Sequence, residues 1–90
     1  MEIKKDQEEH IINFGALSYD AKKIANILNI EVDDIIEEIY NKDSDFYKLY
    51  QKGNDMFDYA IDMKLFEMAK SGDIKALEKL EVRKLDRNDY

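Results

Sequence analysis

The apolar residues between Ile24 and Ile39 recur with the spacing of two short helices joined by a tight turn, and no other stretch restricts the fold as strongly. Ile24, Ile27 and Leu28 share a face of the first helix. Val32, Ile35, Ile36 and Ile39 form the stripe of the second, with Ile30 turned inward between them. The small Ala25 falls where the two helices cross. Asn29 falls at the turn, where a short polar side chain tolerates left-handed backbone. This is the pattern of a helix-turn-helix, whose second helix normally enters the DNA major groove. Here that helix carries Asp33, Asp34, Glu37 and Glu38, which a polyanion repels. Shape and charge conflict.

The rest of the chain also reads as helix. Among 90 residues there is no proline, and three glycines leave few breakers. Ile3, Gln7, His10 or Ile11, and Phe14 share a helical face, and Gly15 follows as a C-terminal cap. Ser18 or Asp20 can cap the next helix. Asn41-Lys42-Asp43-Ser44 reads as a linker with Ser44 as N-cap. From Phe46 through Leu49, Tyr50, Gly53, Phe57, Ile61, Leu65 and Met68 the apolar spacing describes one long helix, or two broken near Gly53-Asn54. Ser71-Gly72-Asp73 stops it, and a last helix runs from Ile74 through Leu77, Leu80 or Glu81, and Leu85. The expected fold is therefore all-α. Residues 1–43 form a helix-turn-helix-like domain and 44–90 a helical hairpin, the oligomerisation region, together making one compact unit.

Composition narrows the function. The net charge is −7, and it is concentrated. From Glu31 to Asp45 seven acids face Lys42 alone, whereas from Phe46 to Tyr90 nine acids balance nine bases. Asp33 and Asp34 suit the first turn of a helix, where they complement its dipole. Glu37 and Glu38 lie beyond that turn, and each acid near a phosphate costs about 1 kcal/mol even in water. These four acids are solvated or form a docking face for a basic protein partner. Basic residues lie elsewhere. Lys22 and Lys23 open the helix that crosses the backbone in standard docking, and Lys75, Lys79, Arg83 and Arg87 recur every four residues along the last helix. Such a stripe can follow phosphates, unless Glu78, Glu81 and Asp86 neutralise it.

The chain has no cysteine, which excludes disulfides and thiolate metal sites and fits a reducing compartment. The acidic N-terminus lacks an apolar signal core, and no apolar run reaches membrane-span length. A cytoplasmic protein is expected, with no membrane partner. His10 is the only histidine, and no nucleophile–base pair, phosphate loop or metal-ligand spacing is present. Neither catalysis nor a cofactor nor a metal is expected. Six tyrosines and four phenylalanines exceed what one core needs. The long helix carries apolar residues on more than one face, which points to a homo-oligomer.

Two stretches carry a family resemblance. One is Ala21-Lys22-Lys23-Ile24-Ala25 through Ile39. The other is Tyr50-Gln51-Lys52-Gly53 followed by Lys64-Leu65-Phe66-Glu67-Met68-Ala69-Lys70-Ser71-Gly72-Asp73-Ile74-Lys75-Ala76-Leu77. Together they resemble small terminase subunits of tailed phages and related phage DNA-packaging proteins. The resemblance implies a subunit that binds double-stranded DNA weakly, acts as an oligomer and regulates the large terminase subunit or another phage protein in the bacterial host cytoplasm. It makes Lys22 and Lys23 candidate DNA contacts, and Tyr50, Phe57, Ile61 and Leu65 candidate assembly positions. Two alternatives remain open: a protein-interaction module docking a basic partner through Asp33, Asp34, Glu37 and Glu38, and a dimeric transcriptional regulator.

Overall fold

The computed structural model describes residues 2–88, and among these the chain is all-helical. Five helices follow in order: α1 (Lys5–Ala16), α2 (Ala21–Leu28), α3 (Val32–Tyr40), α4 (Asp45–Lys70) and α5 (Ile74–Asn88). Most boundaries have a local cause. Asp20 caps α2 by accepting from the Lys23 N–H at 2.8 Å. Asn29 closes α2 in the left-handed conformation (φ 57°, ψ 48°), and the Ile30 N–H donates back to the Ala25 carbonyl at 3.0 Å. Ser44 caps α4 by accepting from the Tyr47 N–H, and its own hydroxyl donates to the Glu38 carbonyl. Gly72 (φ 102°) and Asp73, which accepts from the Ala76 N–H at 3.0 Å, make the stop and restart between α4 and α5.

Two compact units result, one ending at Phe57 and the other starting at Asp58. The expected division after residue 43 would fall at the N-cap of α4, whereas the boundary between the units lies within α4, after Phe57. The reason lies in the core of the first unit. Phe46 is fully buried there among Ile11, Phe14, Ile24, Ala25 and Ile35, with Leu49 and Tyr50 packed alongside. The first turns of α4 are thus core-forming parts of the same unit as α1–α3.

Gly15 is not a cap. Helix α1 continues through it to Ala16, and the left-handed residue after the helix is Ser18 (φ 55°). Gly15 and Gly53 instead mark a close crossing of α1 and α4. A Cβ on Gly15 would lie 1.8 Å from the Tyr50 carbonyl oxygen, and one on Gly53 would lie 1.7 Å from that of Ile12. Only glycine lets two helix backbones approach so closely, so α4 runs unbroken through Gly53. Asn54 fastens the same crossing by donating to the Gly15 carbonyl and the Ser18 hydroxyl, both at 3.2 Å.

Two apolar expectations need correction. Ile27 is 53% exposed, because Ile24 and Ala25 take the inward sector of α2. Ile36 is 41% exposed, because Ile35, Val32 and Ile39 fill the inward sector of α3. Ile36 is turned roughly 100° from Ile35 about the helix axis and falls outside that sector. His10 is also exposed.

In the second unit the end of α4 and α5 form a hairpin closed by the Ser71–Asp73 turn. Ala76 is the only buried hydrophobic residue among those described there. An ion-pair cluster joins the two helices. Arg83 Nε donates to Asp62 Oδ1 at 2.6 Å, Arg83 Nη2 lies 3.4 Å from Asp58 Oδ1, and Arg87 pairs with Asp62 Oδ2.

Candidate functional site

Lys22 and Lys23 lie in the first turn of α2, which the Asp20 cap holds in place. Both are exposed, and they line one open groove with Asn26, Asn29 and Glu31. The Lys23 ammonium sits 4.5 Å from the centroid of the Tyr19 ring, which itself stacks on Phe14. That cation–π contact steadies Lys23 at the edge of the core while leaving the ammonium to meet an anion. Beside Tyr19, the Tyr50 hydroxyl donates to the Tyr19 carbonyl at 3.0 Å. Burial, reinforced by the negative charge of Asp20, raises the Tyr50 phenol above its ordinary pKa. Tyr50 is therefore engaged within the first unit's core.

On α3, Asp33, Asp34 and Glu37 are exposed and Glu38 is half-buried. The exposed side of the helix is not purely acidic. Ile36 and Tyr40, the latter 80% exposed, stand one turn apart beside Asp33 and Glu37, themselves one turn apart. Their spacing was visible beforehand, but which isoleucine faced outward was decided only by packing.

The basic stripe on α5 is divided by its neighbours. Arg83 and Arg87 are tied to Asp58 and Asp62, and not to the acids on their own helix. The sequence contained a signal for this: Asp58 and Asp62 are four apart on one helix, as Arg83 and Arg87 are on the helix that folds back. Lys75 and Lys79 remain exposed and have no ion-pair partner among the described residues. They border a groove floored by Ile61, Leu65 and Val82, with Glu78 and Arg83 completing its lining. Phe57 is exposed in the first unit.

The Arg83 hydrogen bond, followed by the charges of Arg83 and Arg87, holds the Asp62 carboxyl below its ordinary pKa despite the opposing effect of burial. A carboxylate with a lowered folded-state pKa contributes stability above its unfolded pKa, near 4, and loses it as pH falls through the folded value. Asp62→Asn is expected to lower stability by about 1 kcal/mol at pH 7, as for a partly exposed network. Thermal melts of the variant and wild type are expected to converge as the pH falls below the ordinary carboxylate range. Equal melting temperatures at pH 7 would show that the cluster is neutral for stability.

No family model, curated protein or solved structure matches the chain. Its chemistry therefore has to be read from its own surfaces. Among the described residues no group of three or more His, Cys, Asp or Glu side chains gathers as a metal site. No helix there is long and apolar enough to cross a membrane. What the second unit does present is apolar surface. Tyr59, Met63 and Phe66 follow one another along α4 at helical spacing, and Ile74, Leu77 and Leu85 are exposed on α5.

Proposed function

We propose that this chain is a non-enzymatic DNA-packaging adaptor of the small-terminase kind, working as a homo-oligomer through its helical hairpin. The observation that carries this reading is the hairpin itself. It exposes eight large apolar side chains (Tyr59, Met63, Phe66, Met68, Ile74, Leu77, Val82, Leu85) and buries Ala76. Exposed apolar surface of this extent on a small hairpin marks an association site. Tyr59, Met63 and Phe66 thereby join Phe57, Ile61 and Leu65 as assembly positions.

DNA contact in this reading belongs to Lys22 and Lys23. In this reading α2 and α3 are the helix-turn-helix, and α2 is the helix that crosses the phosphate backbone in that motif. The acids of α3 disfavour base reading and non-specific contact alike. Affinity per subunit is weak, and several linked subunits raise it through avidity. The large terminase subunit or another phage protein is the partner that the resemblance implies, in the cytoplasm of a bacterial host.

A gel-shift series against salt tests the DNA claim. Wild type is expected to retard duplex DNA at ~50 mM salt and to lose affinity steeply by ~200 mM, as counterion release requires. Lys22→Glu with Lys23→Glu is expected to weaken binding at least about tenfold at low salt. Absence of any shift by wild type at ~50 mM salt removes DNA from the proposal.

A further inference from the structure

Two surfaces, one in each unit, match one another in charge and spacing. The first is the exposed sector of α3. There Ile36 and Tyr40 form an apolar pair, and Asp33 and Glu37 run beside it as an acidic pair. The second is the groove along α5, lined by Ile61, Leu65 and the exposed Val82, with Lys75 and Lys79 outnumbering Glu78 among its charged residues not already paired. Both charged pairs are four residues apart on α-helices, which separates the members of each by about 6 Å along the axis.

We propose that copies of this chain join head to tail, with the exposed face of α3 in one copy seated in the α5 groove of the next. An antiparallel approach of the two helices sets Asp33 opposite Lys79 and Glu37 opposite Lys75. Ile36 and Tyr40 then leave water for Ile61, Leu65 and Val82. The contact rests on the oligomeric reading above and adds its polarity. Pairing α3 with α3 would bring two acidic rows together, and like charges across an interface are strongly disfavoured. Arg83 is already committed to Asp58 and Asp62, so the lysines rather than the whole basic stripe recognise the incoming acids. A heterologous contact of this kind does not stop at two subunits. It closes into a ring or continues as a filament, depending on the rotation between neighbours.

The test uses two charge-swapped full-length variants, Asp33→Lys with Glu37→Lys, and Lys75→Glu with Lys79→Glu. All four positions are exposed, and circular dichroism checks that each variant keeps its helices. Mass in solution is measured by sedimentation velocity for wild type, for each variant alone and for their equimolar mixture. Each variant alone carries two like-charged faces and is expected to self-associate about a hundredfold more weakly than wild type. The mixture restores attraction wherever the two variants alternate and is expected to assemble well beyond the mass of either variant alone. Rescue on mixing cannot arise from a contact within one chain. If wild type assembles and the mixture assembles no further than either variant alone, or if each variant alone assembles as wild type does, the head-to-tail contact is overturned. The α3 face then belongs to a different protein, and the oligomeric reading survives. If wild type itself stays monomeric at ~100 µM, where interfaces of ordinary size associate, the oligomeric reading fails and this contact fails with it.

Discussion

Gly53→Ala is expected to lower the melting temperature by roughly 10–20 °C, although alanine is the better helix former by up to about 1 kcal/mol. The added methyl would sit 1.7 Å from the Ile12 carbonyl oxygen and 2.6 Å from its carbon, both backbone atoms. Backbone cannot rotate aside as a side chain can, so α1 and α4 must separate. Separation loosens Phe14 and Phe46, which share the core that these helices enclose. Overpacking of this kind costs about 3 kcal/mol. Gly15→Ala meets the Tyr50 carbonyl oxygen at 1.8 Å and is expected to behave alike. The double variant should cost less than the sum, because one separation relieves both clashes. Gly72→Ala provides the contrast. Its Cβ meets nothing within 4 Å, and the strain is confined to a φ of 102°, so a loss of about 1 kcal/mol is expected. Thermal melts of the four variants check the series. A Gly53→Ala protein melting within a few degrees of wild type would mean that the crossing has room to relax.

If the hairpin's exposed apolar face is an assembly surface, Met63→Asp with Phe66→Asp is expected to lower the solution mass of the proposed assembly. Both side chains are exposed in the isolated chain, so the substitution removes little from the hairpin's own packing. In the proposed assembly they would lie against a neighbour, where a buried carboxylate without a partner costs several kcal/mol. Apolar burial supplies most of the association free energy, at about 25 cal/mol per Å². The α3–α5 charge pairs add orientation more than affinity. Light scattering after size exclusion reads the mass directly, and unchanged helix content shows that the monomer is folded. A variant that keeps the wild-type mass would place the interface elsewhere on the chain.

These two effects also mark where the sequence could be read and where it could not. The caps Asp20, Ser44 and Asp73 and the left-handed Asn29 were legible because each acts within three or so residues of itself. The periodic apolar runs likewise announced five helices and an all-α chain. The same runs did not tell which isoleucine faced inward. Ile35 is fully buried and Ile36 is exposed, yet both satisfy the spacing when read alone. The acidic character of α3 was plain from the residues. The exposure of Ile36 and Tyr40 beside those acids was not.

The sequence by itself determined much of the local structure of this protein: the caps at which α2, α4 and α5 begin, the turn that ends α2, and the helical character of the described residues. Those outcomes depend on backbone hydrogen bonds and caps between near neighbours in the chain. Tertiary structure alone decided the meaning of the glycines. Gly15 reads as a helix terminator and Gly53 as a weak point, and both become contact points because another helix backbone lies against them. It also decided the fate of the basic stripe, since Arg83 and Arg87 meet Asp58 and Asp62 only when α5 folds back on α4. Such partners are 21 to 25 residues apart in the chain, and spacing within one helix carries no information about which second helix will arrive.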